Sequence, residues 1–112
     1  MTINDDDMAR IMDTLYLHRA PNLPHTVLAD IFDRLIWCLD DNGEALLKVR
    51  ERWLSSGDRG RVDLALAMDE TFPFGSAQQM KDALSRISAK WPDLEAQCNK
   101  LIEGRARVES GA

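Results

Sequence analysis

The apolar pattern of this chain predicts an all-α domain, a bundle of about six helices. Three observations carry that reading. Over Arg61–Phe74, at about 100° per residue, apolar side chains point in nearly every direction: Val62 and Leu66 one way, Leu64 and Met68 almost opposite. A helix apolar nearly all round is covered on several sides. Elsewhere apolar residues recur at i, i+3, i+4 and i+7, and no segment alternates β-branched residues as a strand would. Turns of a few residues between helices favour antiparallel neighbours, so the third and fourth helices, and the fifth and sixth, can each form a hairpin stacked as in HEAT-type repeats. No internal sequence repeat appears, so an irregular bundle is equally allowed.

The first helix is expected over Asp5–Leu17, with Met8, Ile11, Met12, Leu15 and Tyr16 as its buried stripe. Asp5, Asp6 and Asp7 sit in its first turn, where carboxylates favour the helix dipole. A loop holding Pro21 and Pro24 leads to a second helix over Pro24–Asp40, buried through Leu28, Ile31, Phe32, Leu35 and Leu39. Gly43 suits a left-handed turn after it. The third helix spans Glu44–Ser55 and buries Leu46, Val49 and Trp53. Arg50 falls on that face, so it should either extend to water or find a carboxylate. Asp58 is a fitting N-cap for the fourth helix, which Pro73 should end. Ser76 and Gln79 form a Ser-x-x-Gln capping box for the fifth, whose stripe is Met80, Ala83, Leu84, Ile87 and Trp91. Pro92 opens the sixth and Gly104 closes it. This makes one domain over 1–112, with flexible tails at 1–4 and 105–112.

Composition narrows the function classes. At 112 residues the chain is long enough to bury about two-thirds of its extended surface. It has no apolar run of ~18 residues, so no membrane span is expected. An acidic start without a basic region and apolar stretch argues against a signal peptide. Cys38 and Cys98, both inside expected helices, fit buried inert thiols in a reducing cytoplasm.

Charge is uneven. Residues 1–47 hold nine acidic and three basic side chains, 48–61 five basic and two acidic, and 62–112 eight acidic and six basic, for a net charge of −5. An acidic first half repels nucleic acid and attracts a basic partner. No motif carries chemistry. His18 and His25 lack the paired spacing of a zinc site, and no cofactor site is legible. Gly57-Asp58-Arg59-Gly60 matches the Gly-x-x-Gly clamp of an RNA-binding KH domain, but that fold needs strands, so a tight turn with a solvated basic rim is the simpler reading. Paired carboxylates such as Asp69/Glu70 default to solvated charge. The chain therefore reads as non-enzymatic.

Trp37 is the surface feature that needs a reason. On the wheel of the second helix it lies opposite the core face, between Asp30, Asp33, Asp40 and Asp41. Either a second layer covers it, or it anchors an interface with Asp30, Asp33, Asp40, Asp41 and Glu44 around it, a composition suited to a basic partner.

In size, acidity and helical content over its whole length the chain resembles the small immunity proteins with which bacteria neutralise toxins of contact-dependent growth inhibition systems and nuclease bacteriocins. That resemblance implies one basic toxin domain as partner, bound over or beside its active site. No family residue is carried over. The other reading is a helical adaptor or secretion-chaperone module, which a broad exposed apolar groove would favour.

Overall fold

A computed structural model describes residues 2–111. Among them are six α-helices, two 3₁₀ turns and no strand. The helices are α1 (Asp5–Leu17), α2 (His25–Leu35), α3 (Glu44–Leu54), α4 (Arg59–Ala67), α5 (Ala77–Lys90) and α6 (Glu95–Glu109). The 3₁₀ turns are Ile36–Cys38 and Pro92–Leu94. The all-α expectation holds. The chain divides into two units, one running to Met68 and the other starting at Asp69.

In the first unit α1 packs on α3, α3 on α4, and α2 on α4. α1 opens where expected, and Asn4 caps it: the Asn4 side-chain oxygen accepts from the Asp7 amide at 2.8 Å. Thr2–Asn4 were expected to fray, yet Asn4 holds an N-cap, while Met1 and Ala112 lie outside the described residues. Met8, Met12 and Tyr16 are buried, but Ile11 and Leu15 lie on the shoulder of that face and stay more than two-fifths exposed. α2 ends earlier than its apolar pattern suggests. After Leu35 the chain tightens into Ile36–Cys38, and Leu39 is extended. The reason lies downstream: the Asp41 carboxylate accepts from the Gly43 and Ala45 amides at 2.8 and 3.0 Å, which starts α3 and pulls 39–43 out of the helix. Gly43 sits at φ 78°, and a Cβ there would lie 2.8 Å from Ile36 Cγ2, so only glycine fits. The core face of α2 is Leu28, Ala29, Phe32 and Ile36. Ile31, expected inside, is exposed, and Leu35 and Leu39 are half-buried.

α4 carries the core. Val62, Leu64, Ala65 and Leu66 are all buried, as its all-round apolar pattern requires. Asp58 caps it through the Arg61 amide. It stops at Ala67, well before Pro73, and Met68 is extended. Arg50 explains the stop. Its side chain is wholly buried, which overturns the expectation that it could reach water. Its guanidinium donates to the Ala65 carbonyl at 3.0 Å and to the Met68 carbonyl. The last carbonyls of a helix lack partners within it, and a buried cation supplies them here.

The second unit pairs α5 with α6. Ser76 caps α5 through the Gln79 amide at 3.1 Å. Met80, Ala83, Leu84 and Ile87 form its buried stripe, with Trp91 half-buried under Lys90. Gly104 does not end the last helix, and 105–109 is helix rather than tail. Arg105 holds it: its guanidinium donates to the Pro73 and Phe74 carbonyls at 2.8 and 3.2 Å and to Glu109 at 2.6 Å.

Gly60 offers a direct check of this packing. A Cβ at Gly60 would fall 2.0 Å from the Tyr16 hydroxyl. That ring is fixed by the Arg19 and Arg61 guanidiniums, 4.1 and 4.9 Å from its centroid, and by the edge of Trp53. Gly60→Ala should therefore destabilise by about 1–3 kcal/mol in urea unfolding, although alanine ordinarily favours a helix by ~0.5–1 kcal/mol. Adding Tyr16→Phe should recover most of the loss, a coupling of about 1 kcal/mol or more.

Candidate functional site

The six sequence-nominated residues end on different footings. Trp37 stands in the 3₁₀ turn Ile36–Cys38 and is 67% exposed, so no second layer covers it. Asp30, Asp40 and Glu44 are also exposed. Asp33 is not: it is buried on the core side of α2 and cannot join a surface patch. The wheel took Leu28, Ile31, Leu35 and Leu39 as the core face, whereas the buried side of α2 is turned toward Leu28, Ala29, Phe32 and Ile36, and Asp33 falls on it. Asp41 is half-buried and committed to the start of α3. Of the six, Trp37, Asp30 on α2, Asp40 in the turn and Glu44 at the start of α3 remain exposed.

The acidic first half is largely balanced from within. Asp6 meets Arg52 at 3.5 Å, and Asp5 lies 3.9 Å from Arg52 and 4.0 Å from Lys48. Asp13 meets Arg61 at 3.2 Å and Asp7 meets Arg10 at 3.6 Å. Lys48, Arg52 and Arg61 of the basic segment thus face α1. Such solvent-screened pairs are individually worth ~0–1 kcal/mol, yet they remove the helix as a plain negative field. Asp30 meets Arg34 at 3.2 Å and Glu44 meets Lys48 at 3.4 Å. Asp40 makes no ion pair among the described residues.

Other reactive groups are placed as follows. His25 Nδ1 lies 2.9 Å from Asp63 Oδ2, tying the start of α2 to α4. Among the described residues no three His, Cys, Asp or Glu side chains gather as a metal site would need. Cys98 is buried, and burial pushes its thiol above its ordinary value. Cys38, expected inside, is exposed; its thiol donates to the Arg34 carbonyl at 3.5 Å. A shallow concavity of about 580 Å³ runs along the outer side of α1, lined by Ile3, Asp7, Arg10, Ile11, Thr14 and Leu15. Sequence reasoning missed it by assigning Ile11 and Leu15 to the core. No helix among the described residues is long and apolar enough to cross a membrane.

With this geometry in hand, the chain was compared with protein-family models, curated proteins and solved structures. No match was found in any of the three.

Two measurements check the placements. A thiol reagent should modify one cysteine in the folded chain, Cys38, and the second only after unfolding. The Asp41 carboxyl is held below its ordinary 3.8, chiefly by the Ala45 amide and further by that of Gly43. A depressed carboxyl contributes stability above its unfolded value, and that contribution is lost as pH falls through the folded one. The stability deficit of Asp41→Asn relative to the parent should therefore be full near pH 7 and shrink below pH 3.8.

Proposed function

We propose that this chain is a non-catalytic binding protein that grips a basic protein partner through the corner formed by Trp37, Asp30, Asp40 and Glu44. The exposed Trp37 carries the reading. An indole left in water at a helix end, with exposed carboxylates on the elements before and after it, has the make-up of an interface anchor: a large rigid apolar ring with one donor, and charges that steer a cationic surface. The partner class this fits is a basic toxin domain, bound in the cytoplasm in the manner of bacterial immunity proteins. Asp40 strengthens the reading, because its charge is not spent on a neighbour in the same chain. The balance between α1 and the 48–61 segment narrows the acidic surface to this corner and leaves steering to fewer charges.

A second reading has its own observation. The concavity along α1 suits the apolar face of a partner helix. It supports a helical adaptor or secretion chaperone, which would use Ile11 and Leu15 and would depend little on charge.

Affinity capture from the source cell separates the two. Under the first reading Trp37→Ala should weaken capture ~30-fold or more, while stability changes by less than ~0.5 kcal/mol. Association should slow as ionic strength rises from about 0.05 to 0.5 M. Capture that survives Trp37→Ala and high salt, but is lost in Leu15→Ser, would turn the assignment to the adaptor.

A further inference from the structure

The solvent side of α2 carries an apolar seam that the first unit does not use. Val27 and Ile31 are 43% and 46% exposed, although both are β-branched residues that a single-faced helix would bury. At 100° per residue, Val27, Ile31 and Arg34 fall within 60° of one another. The Cys38 thiol, bonded to the Arg34 carbonyl, shows that Cys38 continues the same line. The spacing is four, three, four, the step of a helix–helix seam. It also reads the same in both directions. Asp30 and Arg34 flank the middle of the seam, both exposed.

We propose that this seam takes a second copy of the same chain, its α2 running antiparallel to the first. Reversal lays Ile31 against the aliphatic stem of the second Arg34 and Val27 against the second Cys38. It also brings each Asp30 beside the opposite Arg34. A parallel copy would set Asp30 against Asp30 and Arg34 against Arg34. The charges therefore select the two-fold, self-complementary arrangement, in which each residue's contact is returned by its counterpart. An eleven-residue helix is only about 16 Å long, so the buried area falls at the low end for specific contacts and the pairing is weak. The inference stands apart from the partner reading, since it needs no other protein.

Two experiments on the whole chain test it. In sedimentation equilibrium the parent should form dimers at concentrations on the order of 100 µM. Arg34→Asp, which sets an aspartate beside each opposite Asp30, should weaken association ~10-fold or more. The double swap Asp30→Arg/Arg34→Asp should restore it to within about threefold, because the reversed charges remain complementary. For register, Val27→Cys should give an interchain disulfide with Cys38 under oxidised glutathione. The two positions lie about 16 Å apart within one chain, so they cannot bridge internally. The parent, with Cys38 far from its own counterpart, should not cross-link. A parent that stays monomeric to about 1 mM, an Arg34→Asp variant that associates as well as the parent, or efficient Cys38–Cys38 cross-linking would each overturn the proposal. Loss of toxin or adaptor capture would leave these results unchanged.

Discussion

A guanidinium sealed inside the first unit sets the terms for the rest of it. Arg50 has no access to water, so its charge and its donors must be met by protein atoms. Carbonyls at the C-terminal end of a helix are suited to this, being unpaired and at the negative end of the dipole. By holding Ala65 and Met68, Arg50 joins α3 to the end of α4 and fixes where α4 stops. α1 leans on α3 and α2 on α4, so both outer helices inherit that geometry. The second unit repeats the device independently. Arg105 reaches from α6 to the Pro73 and Phe74 carbonyls, which steadies a loop where Phe74 sits at a positive φ of 68°. In each unit a buried cation, rather than a further apolar contact, satisfies irregular backbone that would otherwise be desolvated without partners.

This arrangement decides what faces solvent. With α4 buried through Val62, Leu64, Ala65 and Leu66 and the core face of α2 given to Leu28, Ala29, Phe32 and Ile36, the other side of α2 is left with Val27, Ile31 and the neighbouring Trp37. Meanwhile Lys48, Arg52 and Arg61 are drawn to the aspartates of α1. The surface that remains is apolar along α2 and modestly acidic at its C-terminal corner. That combination is why the functional reading rests on contact with other proteins.

Much of the helical layout was legible because it is local. Asp58 and Ser76 cap their helices as their residue types and spacing suggest, and the capping box at Ser76 is visible four residues at a time. The errors share a different cause: contacts distant in sequence overrode local signals. Pro73 looked like the end of α4, but Arg50, fifteen residues before Ala65, ends it earlier. Gly104 looked like a stop, but Arg105 is tethered 32 residues back, at Pro73, and the helix runs on. Ile31 and Leu15 fitted their stripes by periodicity, yet Leu15 lies on the edge of a face already filled by neighbours and Ile31 on the side of α2 turned from the core. In the candidate site, the exposure of Trp37 was open on the wheel, and the burial of Asp33 could not be read there. The buried face of α2 is turned toward Asp33 by packing on α4, a contact distant in sequence, while the early end of α2 follows from Asp41 capping the next helix, a signal in plain view.

The dependence on Arg50 is most directly measured by urea unfolding of Arg50→Met beside Arg50→Lys. Methionine keeps much of the volume but leaves the Ala65 and Met68 carbonyls buried without this donor, while lysine keeps the charge on a single nitrogen that cannot repeat the guanidinium fork. The expected result is a loss of about 3 kcal/mol or more for methionine, with lysine recovering less than half of it. An Arg50→Met chain as stable as the parent would contradict the account, for it would show that apolar packing alone holds α3 to the end of α4.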